Sequence, residues 1–484
     1  MTRATTEPRL TQVIGLLVAV AVLGGGTLGP TLGGVDRTVQ VVLAVFASTL
    51  VFWIAKPVPY TVSSLLCVVL VYALGVTETF EAAVSGFAST LVFFFVVLLL
   101  VGQSVANVGL DGWAASRLIA ASSTPRGSVA RLAAMLLALA FVLPSGLARG
   151  VTFMPVIDRI NASYGASDGS QFRRLAYYVV GHLNPVASLA LMTGGGMAIA
   201  TAELINASVR PITWVEWALY MAPTATLLFV SCTVAGVFLY DVDAVLDGEG
   251  GAEAGSEGAA PDASQTPEDI TPDPLTREQK LVLGTLGGAI CLWIVGSFTG
   301  VPTLVPAVLV VAVFALPGVG IIDAGDVSDI NWGIIFLVGA MLSLLKVMRD
   351  VGAFDLLVDG LAVVVPAGAS PVVVVGVVFG IAVLVRGTFS SVSASFVVLF
   401  PIVLEALSGL GLTPLYVSFA LTTILMAATF LPFNNPVVLV AYERGPLDAR
   451  EVFGLGLVTL ALGVLVVAFG WTVYWPWVDR VVAF

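Results

Sequence analysis

The sequence predicts an all-α integral membrane protein with about eleven transmembrane helices and two re-entrant hairpins in two inverted-topology repeats. Three observations predict it. First, of 484 residues, 58% are hydrophobic and only 11% are charged, against about 25% charged in an ordinary soluble domain. The mean hydropathy is +1.04. Second, the apolar residues form continuous runs that match spans of about 20 residues and lack the alternation of a membrane barrel. Third, the two halves of the chain echo one another. A soluble enzyme, a secreted disulfide scaffold and a disordered chain are excluded.

The elements follow in chain order. Arg3 and Arg9 precede an apolar stretch from Val13. A signal peptide begins this way, but the length of the stretch and the spans behind it favour an uncleaved first span, residues 1–36. The first repeat, 37–240, has spans near 37–55, 60–76 and 85–108, a split run at 128–163, and spans near 174–204 and 213–240. Residues 241–276 form a Gly/Ala/Glu/Asp/Pro linker too polar to pack or insert. The segment 241–280 carries nine of the eleven net negative charges, which leaves the rest near neutral and without a basic face for nucleic acid. The second repeat, 277–484, has spans near 280–298, 302–317 and 330–348, a split run at 370–407, and spans near 413–442 and 451–475.

Basic residues fix the orientation. With the N-terminus cytoplasmic, thirteen of them from Arg3 to Arg450 lie inside, and Arg37, Arg210, Arg349 and Arg480 lie outside. That asymmetry holds only if each split run enters and leaves by the same side, as a re-entrant hairpin does. The first hairpin then opens inward and the second outward. Trp53 with Lys56-Pro57-Val58-Pro59 parallels Trp293 with Gly300-Val301-Pro302, and Val108-Gly109-Leu110-Asp111 parallels Val351-Gly352-Ala353-Phe354-Asp355. Five spans and a hairpin per half make an odd number of crossings, so the second copy is inverted. Inverted repeats with broken helices are characteristic of secondary transporters.

Four stretches interrupt the helices at membrane depth: Leu143 to Gly150, Arg386 to Ser395, Thr193-Gly194-Gly195-Gly196, and Leu431 to Pro436. Backbone freed there is tolerated only against protein or a water-filled cavity, and helix N-termini at such breaks attract anions. The candidate substrate-binding residues are Ser145, Gly146, Arg149, Thr193, Gly194, Gly195, Arg386, Ser391, Ser393, Asn434, Asn435 and Pro436. The competing reading is that Gly and Ser only let helices pack closely. Arg149 and Arg386 sit in apolar hairpins, where a charge is tolerated against a cavity or a counter-charge. They contact a substrate oxyanion, or they pair with Asp158 and Glu405, or they snorkel. His182, the single histidine, is a proton relay or a neutral packing group. Cys67, Cys232 and Cys291 stand alone without metal-ligand spacing. No nucleotide-binding pattern, metal cluster or nucleophile elbow is found, so no cofactor and no enzymatic chemistry are expected.

At these residues the chain resembles the divalent anion:sodium symporter family, carriers of dicarboxylates, citrate and sulfate. Its anchors are Trp53-Ile54-Ala55-Lys56-Pro57-Val58-Pro59, Ile330-Asn331-Trp332-Gly333, Phe336-Leu337-Val338-Gly339, and the hairpin prolines Pro155 and Pro401. The resemblance implies a homodimer joined by scaffold spans, an elevator movement of the hairpin-bearing part, and a multi-pass place in the cell membrane. It also implies Ser-Asn-Thr at each hairpin tip, ten residues before the proline. Here those positions read Ser145-Gly146-Leu147 and Ser391-Val392-Ser393. Candidate sodium ligands are therefore Ser145, Gly146, Ser390, Ser391 and Asn434, but both asparagines are missing. Arg149 falls where the family has a small residue, so a fixed cation there takes the place of a bound sodium.

The expectation is a secondary active transporter of small oxyanions (di- or tricarboxylate or sulfate), with sodium symport, proton coupling and anion exchange left open. The alternatives are a divergent ion exporter or antiporter of the same fold and a passive anion channel.

Overall fold

The computed structural model describes residues 10–31, 33–110, 112–115, 124–141, 145–245, 274–354, 356 and 368–481. Among them every regular element is helical. Most of the acidic linker, Arg3, Arg9, Asp111, Arg117, Leu143, Pro144 and Asp355 lie outside the described residues.

The helices are α1 Leu10–Leu28, α2 Arg37–Ala55, α3 Tyr60–Ala73, α4 Phe80–Ala83, α5 Thr90–Asn107, α6 Pro125–Ala140 and α7 Gly146–Ser163. Next come α8 Gln171–Tyr178, a π turn at Val179–Leu183, α9 Asn184–Ala187, α10 Gly196–Ser208, α11 Trp214–Leu239, α12 Arg277–Thr299, α13 Leu304–Phe314 and α14 Ala324–Asp329. Then follow α15 Trp332–Asp350, α16 Pro371–Arg386, α17 Val392–Ala406, α18 Pro414–Ala427, α19 Pro436–Arg444, α20 Ala449–Phe469, a second π turn at Gly470–Tyr474, and α21 Trp475–Val481. Among the described residues six helical stretches are long and apolar enough to cross a membrane alone: α1, α2, α11, α12, α15 and Ala449–Val481.

Local chemistry sets many of these boundaries. Thr213 and Glu216 form a reciprocal capping box at the start of α11, as do Thr276 and Gln279 for α12 and Asp448 and Glu451 for α20. Such boxes satisfy two of the amide groups that a helix start leaves open. Gly109 and Gly352 both take left-handed backbone, at φ 65° and 73°, so the repeated Val-Gly motif ends a helix in the same way in both halves.

The chain forms two compact units, Met1–Val96 with Asn331–Ser418, and Val97–Ile330 with Phe419–Phe484. In the first, α1 packs on α2 and α2 on α3, while α15 packs on α3 and on a 3-10 turn at Ser85–Ala88. Lipid tails are as apolar as leucine, so close approach of small residues holds membrane helices together. A Cβ on Gly15 would stand 2.2 Å from the Ala55 Cβ, and one on Gly86 would stand 2.3 Å from the Ser343 amide nitrogen. The Gly86 amide also donates to the Ser343 hydroxyl at 2.9 Å. α16 and α17 pack against each other as a helical hairpin.

In the second unit α11 packs on α20 and on α12, and α12 on α13. Trp214 and Trp293 stack at 6.2 Å, fixing α11 on α12. α6 and α7 form the other hairpin pair, and α19 lies on α7 and on the first π turn.

Three boundaries differ from expectation. The first interrupted span is non-helical from Ser188 to Gly195, so its break begins five residues before Thr193. The span expected near 85–108 is helical only from Thr90, because the 3-10 turn before it is drawn onto α15 through Gly86. The last span runs on through a π turn to Val481.

Candidate functional site

The two hairpin tips are built alike. Ser145 caps α7 by accepting from the Ala148 amide at 3.2 Å, and Ser391 caps α17 by accepting from the Ala394 amide at 3.3 Å. Pro155 and Pro401 sit inside the helices that follow. The shared Ser at a fixed distance from the proline thus has a local cause in both tips: it supplies the oxygen that an open helix start requires.

In the second unit the first tip meets both broken spans. Arg149, in the first turn of α7, is 0% exposed. Its Nε donates to Asn184 Oδ1 at 2.9 Å and its Nη2 to Ser188 Oγ at 2.5 Å. Asn184 Nδ2 donates in turn to the Gly146 carbonyl at 2.7 Å. The guanidinium is thereby set between the hairpin tip and the edge of the first break. The Ser188 carbonyl lies 2.3 Å from where a Cβ of Gly194 would be, and the Ser188 Cβ lies 3.2 Å from the Cβ position of Gly195. Only glycine at 194 admits that turn. Thr193 Oγ1 accepts from Trp214 Nε1 at 3.3 Å, and the Leu189 carbonyl accepts from Trp217 Nε1 at 3.1 Å, so two indoles on α11 hold the broken backbone.

The second break contributes its own helix start. Asn434, fully buried, accepts from the Leu431 amide at 2.9 Å. Asn435 caps α19 by accepting from the Val437 amide at 2.9 Å, and Pro436 opens the helix. A Cβ on Gly150 would lie 2.5 Å from Val437, so α7 and α19 touch at the residue next to Arg149. The structure therefore brings together Ser145, Gly146, Arg149, Gly194, Gly195, Asn435 and Pro436.

Asp158, the counter-charge considered for Arg149, is taken by Arg173 at 2.7 Å and by the Tyr177 hydroxyl at 3.0 Å.

Arg386, Ser390, Ser391 and Ser393 belong to the first unit. Arg386 is 0% exposed, and its Nη1 donates to the Phe389 carbonyl at 3.0 Å. Glu405, its considered partner, lies at the far end of α17, roughly 20 Å along the helix from Ser391. Lys56 reaches the second tip, with its Nζ on the Ser390 hydroxyl and lying over the Tyr60 ring at 4.6 Å. Lys56 holds left-handed backbone at φ 49°, a strained choice for lysine that places it beyond the end of α2.

The candidate sodium ligands can be tested against this geometry. The oxygens of Ser145, Ser391, Asn434 and Gly146 each accept an N–H, and Ser390 meets an ammonium. A guanidinium stands beside one tip and an ammonium beside the other. Two unit charges at about 4 Å repel by about 4 kcal/mol at an effective dielectric near 20. A fixed cation beside each tip repels a second cation there. Among the described residues no group of three His, Cys, Asp or Glu side chains could hold another metal.

The sequence reading missed Asn184 and Ser188. An Asn-Pro pair inside an apolar span was the available signal. It also missed Lys56 as a site residue, although the motif containing it was singled out.

Two helix–break–helix hairpins and two interrupted spans, in a chain of apolar helices, define a multi-pass membrane transporter. The profile of the sodium:sulfate symporter transmembrane region matches residues 10–481. The chain belongs to this family, the divalent anion:sodium symporters. It is similar to a membrane protein of Cupriavidus necator, 23% identical over 98% of this chain and 94% of that one. It is 24% identical to the L-tartrate/succinate antiporter of Escherichia coli, over 91% and 93% of the two chains. It is 24% identical to dicarboxylate transporter 1, chloroplastic, of Spinacia oleracea, over 81% of this chain and 68% of that one.

Proposed function

We propose that the protein exchanges small dicarboxylate-class oxyanions across the cell membrane by alternating access, without sodium. The observation that carries the reading is Arg149, wholly buried at a hairpin tip and bonded to Asn184 and Ser188 beside two broken spans. A guanidinium binds carboxylate or sulfate through two parallel hydrogen bonds. The helix starts at Gly146, Gly196 and Pro436 add amide groups of the same sign. The relatives named for tartrate, succinate and dicarboxylates support the substrate class.

Coupling follows from the kind of cation. A bound sodium leaves with its anion, whereas a guanidinium is carried in both half-cycles. A substrate form with one net negative charge neutralises the guanidinium as it crosses, and the empty site lacks that anion. Charge inside a membrane costs several kcal/mol, so return without a counter-anion is slow and exchange dominates. The N-terminus is cytoplasmic, the two halves are inverted repeats with re-entrant hairpins, and the carrier is a homodimer with an elevator-like moving part.

The test uses proteoliposomes loaded with unlabelled succinate. Labelled succinate, L-tartrate, citrate and sulfate are offered outside, in sodium or choline buffer. The expected result is transient counterflow accumulation of at least one of them, equal in both buffers and absent from empty vesicles and from Arg149→Ala. Uptake that needs sodium returns the protein to symport, and equilibration without counterflow makes it a channel.

A further inference from the structure

Beyond the anion site, the second unit holds one polar group that nothing above uses. His182 lies in the π turn Val179–Leu183, is 4% exposed, and neither ring nitrogen completes a hydrogen bond. A π turn widens the helix by one residue and is found frequently at functional sites. Buried polar atoms without partners are rare enough to require a reason.

The surroundings of the ring supply one. The backbones of Val452, on α20, and Thr429 face it. Thr429 belongs to the second break, between α18 and α19, where the chain is non-helical. Its carbonyl is pressed onto α20 at Gly456, where a Cβ would stand 2.2 Å from the oxygen. On the other side, Gly181 lets the π turn close onto α19, with its Cβ position 3.2 Å from the Ala441 Cβ. An imidazole with unused nitrogens therefore stands against one backbone carbonyl of the broken span that carries Asn434 and Asn435 and one of α20.

The charged groups of the surrounding helices are engaged elsewhere. On α7, Arg149 is bonded to Asn184 and Ser188, and Asp158 to Arg173 of α8. Glu451, next to Val452, pairs with Arg174 of α8, while Arg159 of α7 and Arg450 of α20 are exposed. On α19, Tyr442, Glu443 and Arg444 are exposed at its far end. On α11, Glu216 is paired with Arg210. The titratable neighbours that remain are Tyr178, whose ring centre is 5.3 Å away and whose hydroxyl bonds Thr459 at 2.8 Å, and Cys232 of α11 behind it. α9 contributes no titratable side chain.

We propose that His182 is a proton-binding site that ties the π turn of the first interrupted span to the broken backbone of the second. The neutral ring has one N–H and one bare nitrogen. One added proton gives it two N–H donors, and the carbonyls of Thr429 and Val452 are the acceptors in place. Proton uptake then fastens the two spans together at residues 428–436, and release frees them. Protons are in this way the ion that acts on the second break. Only the further step, that this changes anion exchange, rests on the function proposed above.

His182 is the single histidine of the chain, so protein made with ring-13C histidine and purified without a polyhistidine tag reports this site alone. The expected result is one ring resonance whose shift titrates when followed from about pH 3 to 8. Hydrogen–deuterium exchange of peptides covering 428–436 is compared between wild type and His182→Gln at each pH. Wild type should be protected roughly threefold more at the acid end and equally at the alkaline end. A resonance that stays fixed across that range overturns the proposal, and so does an exchange difference that does not change with pH. Neither measurement needs an anion, so loss of counterflow in the vesicle assay would reject the exchange reading and leave this result standing.

Discussion

Asn184→Asp tests the role of Arg149 with the least disturbance of shape. The substitution is isosteric and places a carboxylate oxygen where Asn184 Oδ1 now accepts from Arg149 Nε at 2.9 Å. It gives the guanidinium an internal anion. A substrate carboxylate on the opposite edge of the guanidinium would stand about 6–7 Å from the new charge, and at an effective dielectric near 20 the two repel by about 2.5 kcal/mol. Dicarboxylate affinity should fall roughly 50- to 100-fold, because each 1.4 kcal/mol is a factor of ten. The bond from Asn184 Nδ2 to the Gly146 carbonyl is replaced by two facing acceptor oxygens, a cost of about 1–3 kcal/mol. The new ion pair offsets it, so the anion-free protein should melt at or above the wild-type temperature. The assay is a titration of purified protein with L-tartrate and succinate, followed by thermal shift and by equilibrium binding. If Asn184→Asp melts normally and binds as wild type does, Arg149 is not the group that neutralises the substrate.

Four further outcomes are expected. Lys56→Met removes the ammonium from the Ser390 hydroxyl, so thermal stabilisation by sodium over choline should appear in this variant and not in wild type. Gly86→Ala drives a Cβ to 2.3 Å from the Ser343 nitrogen and 2.5 Å from the Gly339 carbonyl, and overpacking of this kind costs about 1–3 kcal/mol, read as a lower melting temperature. Gly25→Ala is its control: nothing lies within 4 Å, and a helix gains about 0.5–1 kcal/mol from that exchange. Thr213→Ala breaks the capping box of α11 and should cost about 1 kcal/mol, seen as earlier exchange of amides at 214–217.

The helices were legible because the bilayer imposes a severe rule: backbone polar groups must be satisfied within the segment. Runs such as Arg37–Ala55 and Arg277–Thr299 therefore announce themselves by length and apolarity. The breaks were legible for the converse reason. Gly194-Gly195 and Pro432 through Pro436 do not continue a helix, and their place inside apolar runs marks irregular backbone that something must stabilise. The capping serines Ser145 and Ser391 could be found by counting back from Pro155 and Pro401, since cap, first turn and proline lie on one continuous helix.

What holds the charges lay beyond that local grammar. Arg149 meets Asn184 across 35 residues and Lys56 meets Ser390 across 334, pairings that only tertiary packing creates. The π turn at Val179–Leu183 has no sequence signature of its own, and it sets Gly181 close against α19. Yet each missed residue had a trace in the sequence. Asn184 and His182 are polar groups in an otherwise apolar run, and Lys56 is one of only three lysines, placed between a tryptophan-bearing span and a proline pair. A polar group has no inexpensive position inside a bilayer, so wherever one stands in an apolar run the fold must provide it a partner. Searching for that partner, rather than for a motif, is how Asn184 would have been matched to Arg149.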